Sequence, residues 1–93
     1  MPEESPVYPN LLREVRDSQA LTRVQLAALC GQLAEQDPIR YTAVGESTVK
    51  HIELGKSQPR ASTAATIAKA LEMSVSELFP AGIDTKSRLD TRV

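Results

Sequence analysis

The chain has 93 residues, 41% apolar and 25% charged, enough for one globular domain and too short and apolar for two domains or a disordered polymer. Its lone cysteine, Cys30, excludes an internal disulfide and a thiolate metal site, and no apolar run approaches a membrane-spanning length. The net charge of −1 speaks against a nucleic-acid partner, but residues 39–69 carry Arg40, Lys50, Lys56, Arg60 and Lys69 against only Glu46 and Glu53.

Residues 1–9, with Pro2, Pro6 and Pro9, read as a flexible N-terminal arm. Asn10 is a helix cap, and Leu11, Leu12 and Val15 set an apolar face at helical spacing through about Gln19. Ala20 and Leu21 connect to a second helix. Thr22 with Gln25 three residues on forms a capping box, and Leu26, Leu29, Cys30 and Leu33 share one face. Gly31 within that face costs about 1 kcal/mol relative to Ala, so two courses are open. The helix continues to about Gln36, or it stops at Gly31 and leaves Gln32–Gln36 as a separate turn. The leucine spacing favours continuation. Pro38 ends the helix in either case, because it drives Asp37 out of the α region.

Ile39–Val44 reads as an exposed, flexible loop. A third helix opens after Gly45, turns Val49 and Ile52 inward and stops at Gly55. Lys56–Pro59 is a polar turn, and Ala61–Leu71 is a fourth helix with Ala64, Ile67, Ala68 and Leu71 inward. Ser74 and Glu77 make a second capping box, which opens a short fifth helix through Leu78 and Phe79. Pro80 and Gly82 end the order, so the expectation is an ordered domain over residues 10–80 and a disordered tail over 81–93. With few aromatic residues, the core must be built from Leu, Ile, Val and Ala. The fold class is all-α, with five helices.

Catalysis finds no footing in this pattern. One histidine, one cysteine and no paired carboxylates offer neither a nucleophile with its base nor a spaced ligand set. Gly45, Gly55 and Gly82 lack any phosphate-cradling spacing. The reading is therefore no enzyme, no cofactor and no metal, and the absence of a signal-peptide pattern points to the cytoplasm.

The third helix, running from about Glu46 to Leu54, carries the unusual chemistry. Glu46, Ser47, Lys50 and His51 share its outer face, and each side chain can hydrogen-bond to a base edge or a phosphate. Glu accepts from the cytosine amino group, Lys donates to guanine O6 and N7, and Ser does either. Such a face suits a major groove, and it equally suits an ordinary solvated helix.

Residues 10–80 resemble the lambda-repressor-like, Cro-type helix-turn-helix family, also called the xenobiotic-response-element family. The resemblance rests on Leu12 to Arg16, Leu21-Thr22-Arg23, Gln25-Leu26-Ala27, Ser47-Thr48-Val49, Ile52-Glu53, Gly55-Lys56 and Pro59. It continues through Ile67-Ala68-Lys69-Ala70-Leu71 and Val75-Ser76-Glu77-Leu78-Phe79. It implies base contacts from Glu46, Ser47 and His51, with Lys50 reaching a base or a phosphate. It implies phosphate contacts from Thr22, Arg23 and Lys56, with Arg60 adding another, and a structural ion pair between Arg16 and Glu53. Arg23 and Arg60 also read as solvated charges.

The implied function is a DNA-binding transcriptional regulator of bacterial or phage type. Its implied partner is double-stranded DNA, bound as a homodimer through the fifth helix, with Leu78 and Phe79, or through the tail. An antitoxin-like adaptor or protein-interaction module on the same fold is the alternative, with a protein as partner. Three departures stand out. Gln32–Val44 intervenes where relatives have a tight turn, which would bring Arg40 near DNA. Glu72 replaces a usual helix-end glycine, and Gly45 replaces a usual Ser or Thr cap.

Overall fold

A computed structural model of the protein describes residues 8–84. Over these residues the chain forms α1 (Leu12–Ser18), α2 (Arg23–Gln36), α3 (Glu46–Glu53), α4 (Ala61–Leu71) and α5 (Val75–Leu78). There is no strand among them beyond a two-residue bridge between Arg60 and Asp84. Residues 1–7 of the arm expected over 1–9, and residues 85–93 of the tail expected over 81–93, lie outside the described residues.

Helix starts follow the capping chemistry. Thr22 Oγ1 accepts from the Gln25 N–H at 3.0 Å while Gln25 Oε1 accepts from the Thr22 N–H at 2.8 Å. Ser74 and Glu77 repeat the reciprocal pair at α5. Asn10 acts one residue earlier than expected: Leu11 is the cap residue of α1, and Asn10 Oδ1 accepts from the Leu12 N–H at 3.0 Å. The Asn10 amide also donates to the Ile52 carbonyl at 2.8 Å, which joins the start of α1 to α3.

Three helix ends share one geometry. After α1, α3 and α4 a residue with positive φ turns the chain: Ala20 at 59°, Gly55 at 74° and Glu72 at 60°. In each case this residue and its successor return their N–H groups to the last turn, as Gly55 to Ile52 and Lys56 to His51 do after α3. Only Gly55 adopts this conformation without a side-chain penalty.

The core joins all five helices. Leu12 of α1, Leu26 and Cys30 of α2, Val49 and Ile52 of α3, four residues of α4 and Leu78 of α5 are buried together with Val44 and Phe79. Leu29 and Leu33 are only partly covered. Burial pushes the Cys30 thiol up to about 11, so it is an apolar filler. Leu78 and Phe79, expected as a dimer surface, are consumed by the core of their own chain, which corrects that expectation.

The segment between α2 and α3 takes the first of the two courses: α2 passes through Gly31 and ends at Gln36. The connection from Asp37 to Val44 is tied down, unlike the loose loop its composition suggested. Asp37 accepts from the Arg40 and Tyr41 N–H groups, and the Thr42 N–H donates to the fully buried Thr66 Oγ1 at 2.9 Å. Val44 then enters the core. The order also outlasts Pro80. Ile83 packs on the core, and the Asp84 N–H donates to the Pro59 carbonyl at 2.7 Å, so the domain reaches Asp84.

Candidate nucleic-acid interface

Helix α3 is two-sided. Val49 and Ile52 are buried, while Glu46, Ser47, Thr48, Lys50 and His51 are exposed. The alternation follows from the helical repeat, which places the apolar pair three residues apart on one side. Its first turn starts without a side-chain cap, because Gly45 has none to offer.

The far end of α3 is fixed by charge. Glu53 is buried to 1% side-chain exposure and accepts from two arginines on two other helices. Arg16 of α1 donates through Nε to Oε2 at 2.5 Å and through Nη2 to Oε1 at 3.2 Å, and its Nη1 donates to the Leu21 carbonyl at 2.6 Å. Arg23, the first residue of α2, donates through Nε to Oε1 at 3.0 Å. Burial disfavours the charged carboxylate, but the hydrogen bonds and charges of Arg16 and then Arg23 outweigh it, and the Glu53 carboxyl stays below its ordinary value. The hydrogen bond to Glu53 likewise raises Arg16, against the effect of burial.

Arg23 therefore does not stand free at the start of α2. Its Nε is committed to Glu53, while its Nη groups have no partner among the described residues and the side chain keeps 31% exposure. Thr22 beside it is exposed, and its oxygen is occupied as a cap while its hydroxyl proton remains available. Thr22, Arg23 and Glu46 share an open cleft with Arg13, which brings the start of α2 next to the start of α3. Lys56 and Arg60 are exposed on the turn beyond the other end of α3. There Thr48, Ser57 and Arg60 line a second cleft between α3 and the turn.

The structure thus gathers the sequence candidates into one α3 face flanked by two groups, Thr22–Arg23 and Lys56–Arg60. Sequence reading passed over Arg13 and Thr48. Arg13 lies one helical turn before Arg16 and Thr48 lies within the polar run of α3, and those positions were the available signals. Arg40, expected near DNA, is exposed, pairs with Asp37 at 3.6 Å and lies 6.0 Å from the centre of the Tyr41 ring. Among the described residues no group of three or more His, Cys, Asp or Glu side chains could hold a metal, and no helix is long and apolar enough to cross a membrane.

A pair of helices with a polar second member, braced from behind by a third, is the frame onto which known families can be laid. Residues 10–78 match the family model described as a helix-turn-helix domain. The chain belongs to the helix-turn-helix domain family. That span takes in α1 to α5 and agrees with the lambda-repressor-like resemblance, which places this helix-turn-helix domain among DNA-binding regulators in general. No match was found among curated proteins or among solved structures.

Proposed function

We propose that the protein is a sequence-specific transcriptional regulator of bacterial or phage type, which lays α3 in the major groove of double-stranded DNA. The observation that carries this reading is the two-sided α3: an exposed polar face on a helix locked from behind by a buried carboxylate and two arginines. Base readout demands such a rigid support, because a hydrogen bond to a base edge discriminates only when its donor is held in place.

In this reading Glu46, Ser47, Lys50 and His51 meet base edges. Thr22, Lys56, Arg60 and the open Nη ends of Arg23 meet phosphates, and they set register rather than sequence. Arg16 and Glu53 touch no DNA and hold α3 to α1. The protein works in the cytoplasm, without catalysis or a cofactor. A homodimer on paired half-sites about one helical turn apart fits this architecture. Its contact surface must lie away from Leu78 and Phe79, which the core has taken.

A second reading, a protein-interaction module or antitoxin-like adaptor, draws on one observation. Ile39 is 97% exposed at the apex of a loop whose backbone is tied down on both sides. An anisotropy titration with random duplex at two salt concentrations separates the two. The regulator reading expects affinity to fall steeply as salt rises, because bound phosphates release their counterions. Absent or salt-independent binding removes it.

A further inference from the structure

The turn bearing Lys56 and Arg60 belongs to no helix, and it is clasped from both sides by residues outside the matched span of 10–78. On one side the Tyr8 N–H donates to the Gly55 carbonyl at 3.2 Å. On the other the Asp84 N–H donates to the Pro59 carbonyl at 2.7 Å, and Arg60 and Asp84 pair as a parallel bridge. Gln58 Nε2 adds a contact to the Ala81 carbonyl at 3.4 Å. Gly82, with φ of 94° and its N–H on the Phe79 carbonyl, reverses the chain after α5 so that Ile83 reaches the core edge.

We propose that Ala81–Asp84 is a positioning strap which, with Tyr8, preorganises the Lys56–Arg60 turn for contact with DNA phosphates. Lys56 is held by its N–H on the His51 carbonyl and Arg60 by its carbonyl on the Ala64 N–H. Ser57–Pro59 between them has no helical hydrogen bond, and fixing that stretch only when DNA arrives would subtract from affinity. The strap does that ordering in the free protein. It acts on phosphate-facing residues alone, so it raises affinity for all duplexes and leaves base preference untouched.

The inference rests on the DNA-binding reading above, and its test keeps the two apart. Asp84→Pro removes the N–H that reaches Pro59. The change also removes the Asp84 carboxylate, so Asp84→Asn, which removes that charge and keeps the N–H, is measured beside it, and a loss beyond that of Asp84→Asn reports the backbone clasp. Duplex affinity is measured against salt for the whole chain, together with thermal melting. The expected result is an affinity lower by about five- to tenfold on random and selected duplexes alike. The slope of log K against log salt becomes shallower by about one unit, with melting still cooperative.

Wild-type affinity and slope in Asp84→Pro, or a loss no greater than that of Asp84→Asn, overturn the strap, as does a loss confined to the selected sequence. Where Asp84→Pro does not fold, Ile83→Ser loosens the same strap from the core and is judged by the same two outcomes. A wild-type chain that binds no duplex overturns the DNA-binding reading and the strap together. A wild-type chain that binds while the variant is unchanged overturns the strap alone.

Discussion

Arg16 and Glu53 meet through two hydrogen bonds, Nε to Oε2 at 2.5 Å and Nη2 to Oε1 at 3.2 Å, and this pair ties α1 to the last residue of α3. Glu53 is almost wholly enclosed, so removing its charge strands an arginine that is itself buried. Glu53→Gln is expected to cost about 3 kcal/mol, the usual scale for breaking one side of a buried pair. Urea unfolding of both proteins at neutral pH measures it. A loss below about 1 kcal/mol would mean that the pair is not the brace described.

The same pair sets an acid limit. The Glu53 carboxyl lies below its ordinary value in the folded chain, because Arg16 and Arg23 outweigh the opposing effect of burial. A carboxyl depressed on folding contributes stability that is fully present above the unfolded value of about 4.3. That contribution is lost as pH falls through the lower folded value. The stability gap between wild type and Glu53→Gln should hold steady from pH 7 to about 5 and close below about 4. A gap unchanged down to pH 3 would contradict this.

Gly31 occupies the interior of α2, and a Cβ built there meets nothing within 4 Å. Its cost is backbone entropy alone, so Gly31→Ala should stabilise by about 1 kcal/mol. A rise in the thermal midpoint checks this, and a fall would mean that the glycine serves a packing need.

Glu72 holds φ of 60° where Gly55 holds 74° in the same kind of helix end. Glu72→Gly should relieve the left-handed strain and stabilise by about 1 kcal/mol, while Gly55→Ala should destabilise by a similar amount. Opposite signs in paired denaturation curves are the expected result; the same sign in both would refute the shared geometry.

Much of this was legible in the residues, and the remainder had a physical reason to be hidden. Capping boxes at Thr22 and Ser74 are local chemistry, so α2 and α5 begin where their sequences say. The glycine at 55 and the proline at 38 are equally local. The order of Thr42 was not legible, since its N–H partner is Thr66, 24 residues away on α4 and indistinguishable in sequence from any solvated threonine. Thr66 also donates to the Ser62 carbonyl, and that bond turns its oxygen toward the loop. Ile83 and Asp84 read as part of a disordered tail because their partners are core edge and backbone carbonyl, which leave no pattern in the chain. At the interface, Arg23 reads as a phosphate contact or a solvated charge, and only the fold shows its Nε on the buried Glu53 carboxylate.

Thr66 offers a direct probe of the loop. Thr66→Val preserves shape but leaves the Thr42 N–H without its acceptor, at an expected cost of about 1–2 kcal/mol. Amide exchange at Thr42 should quicken in the variant, and unchanged protection there would show that the loop is held by other means.

The central claim is that the outer face of α3 reads bases, and selection of bound duplexes from a random library tests it most directly. The wild-type chain should enrich a defined motif, and His51→Ala and Ser47→Ala should each lose preference at one or two positions of it. Lys56→Ala should bind more weakly with the motif intact. Duplex binding without any enriched motif, or an identical motif in all three variants, would contradict the assignment of α3 as the reading helix.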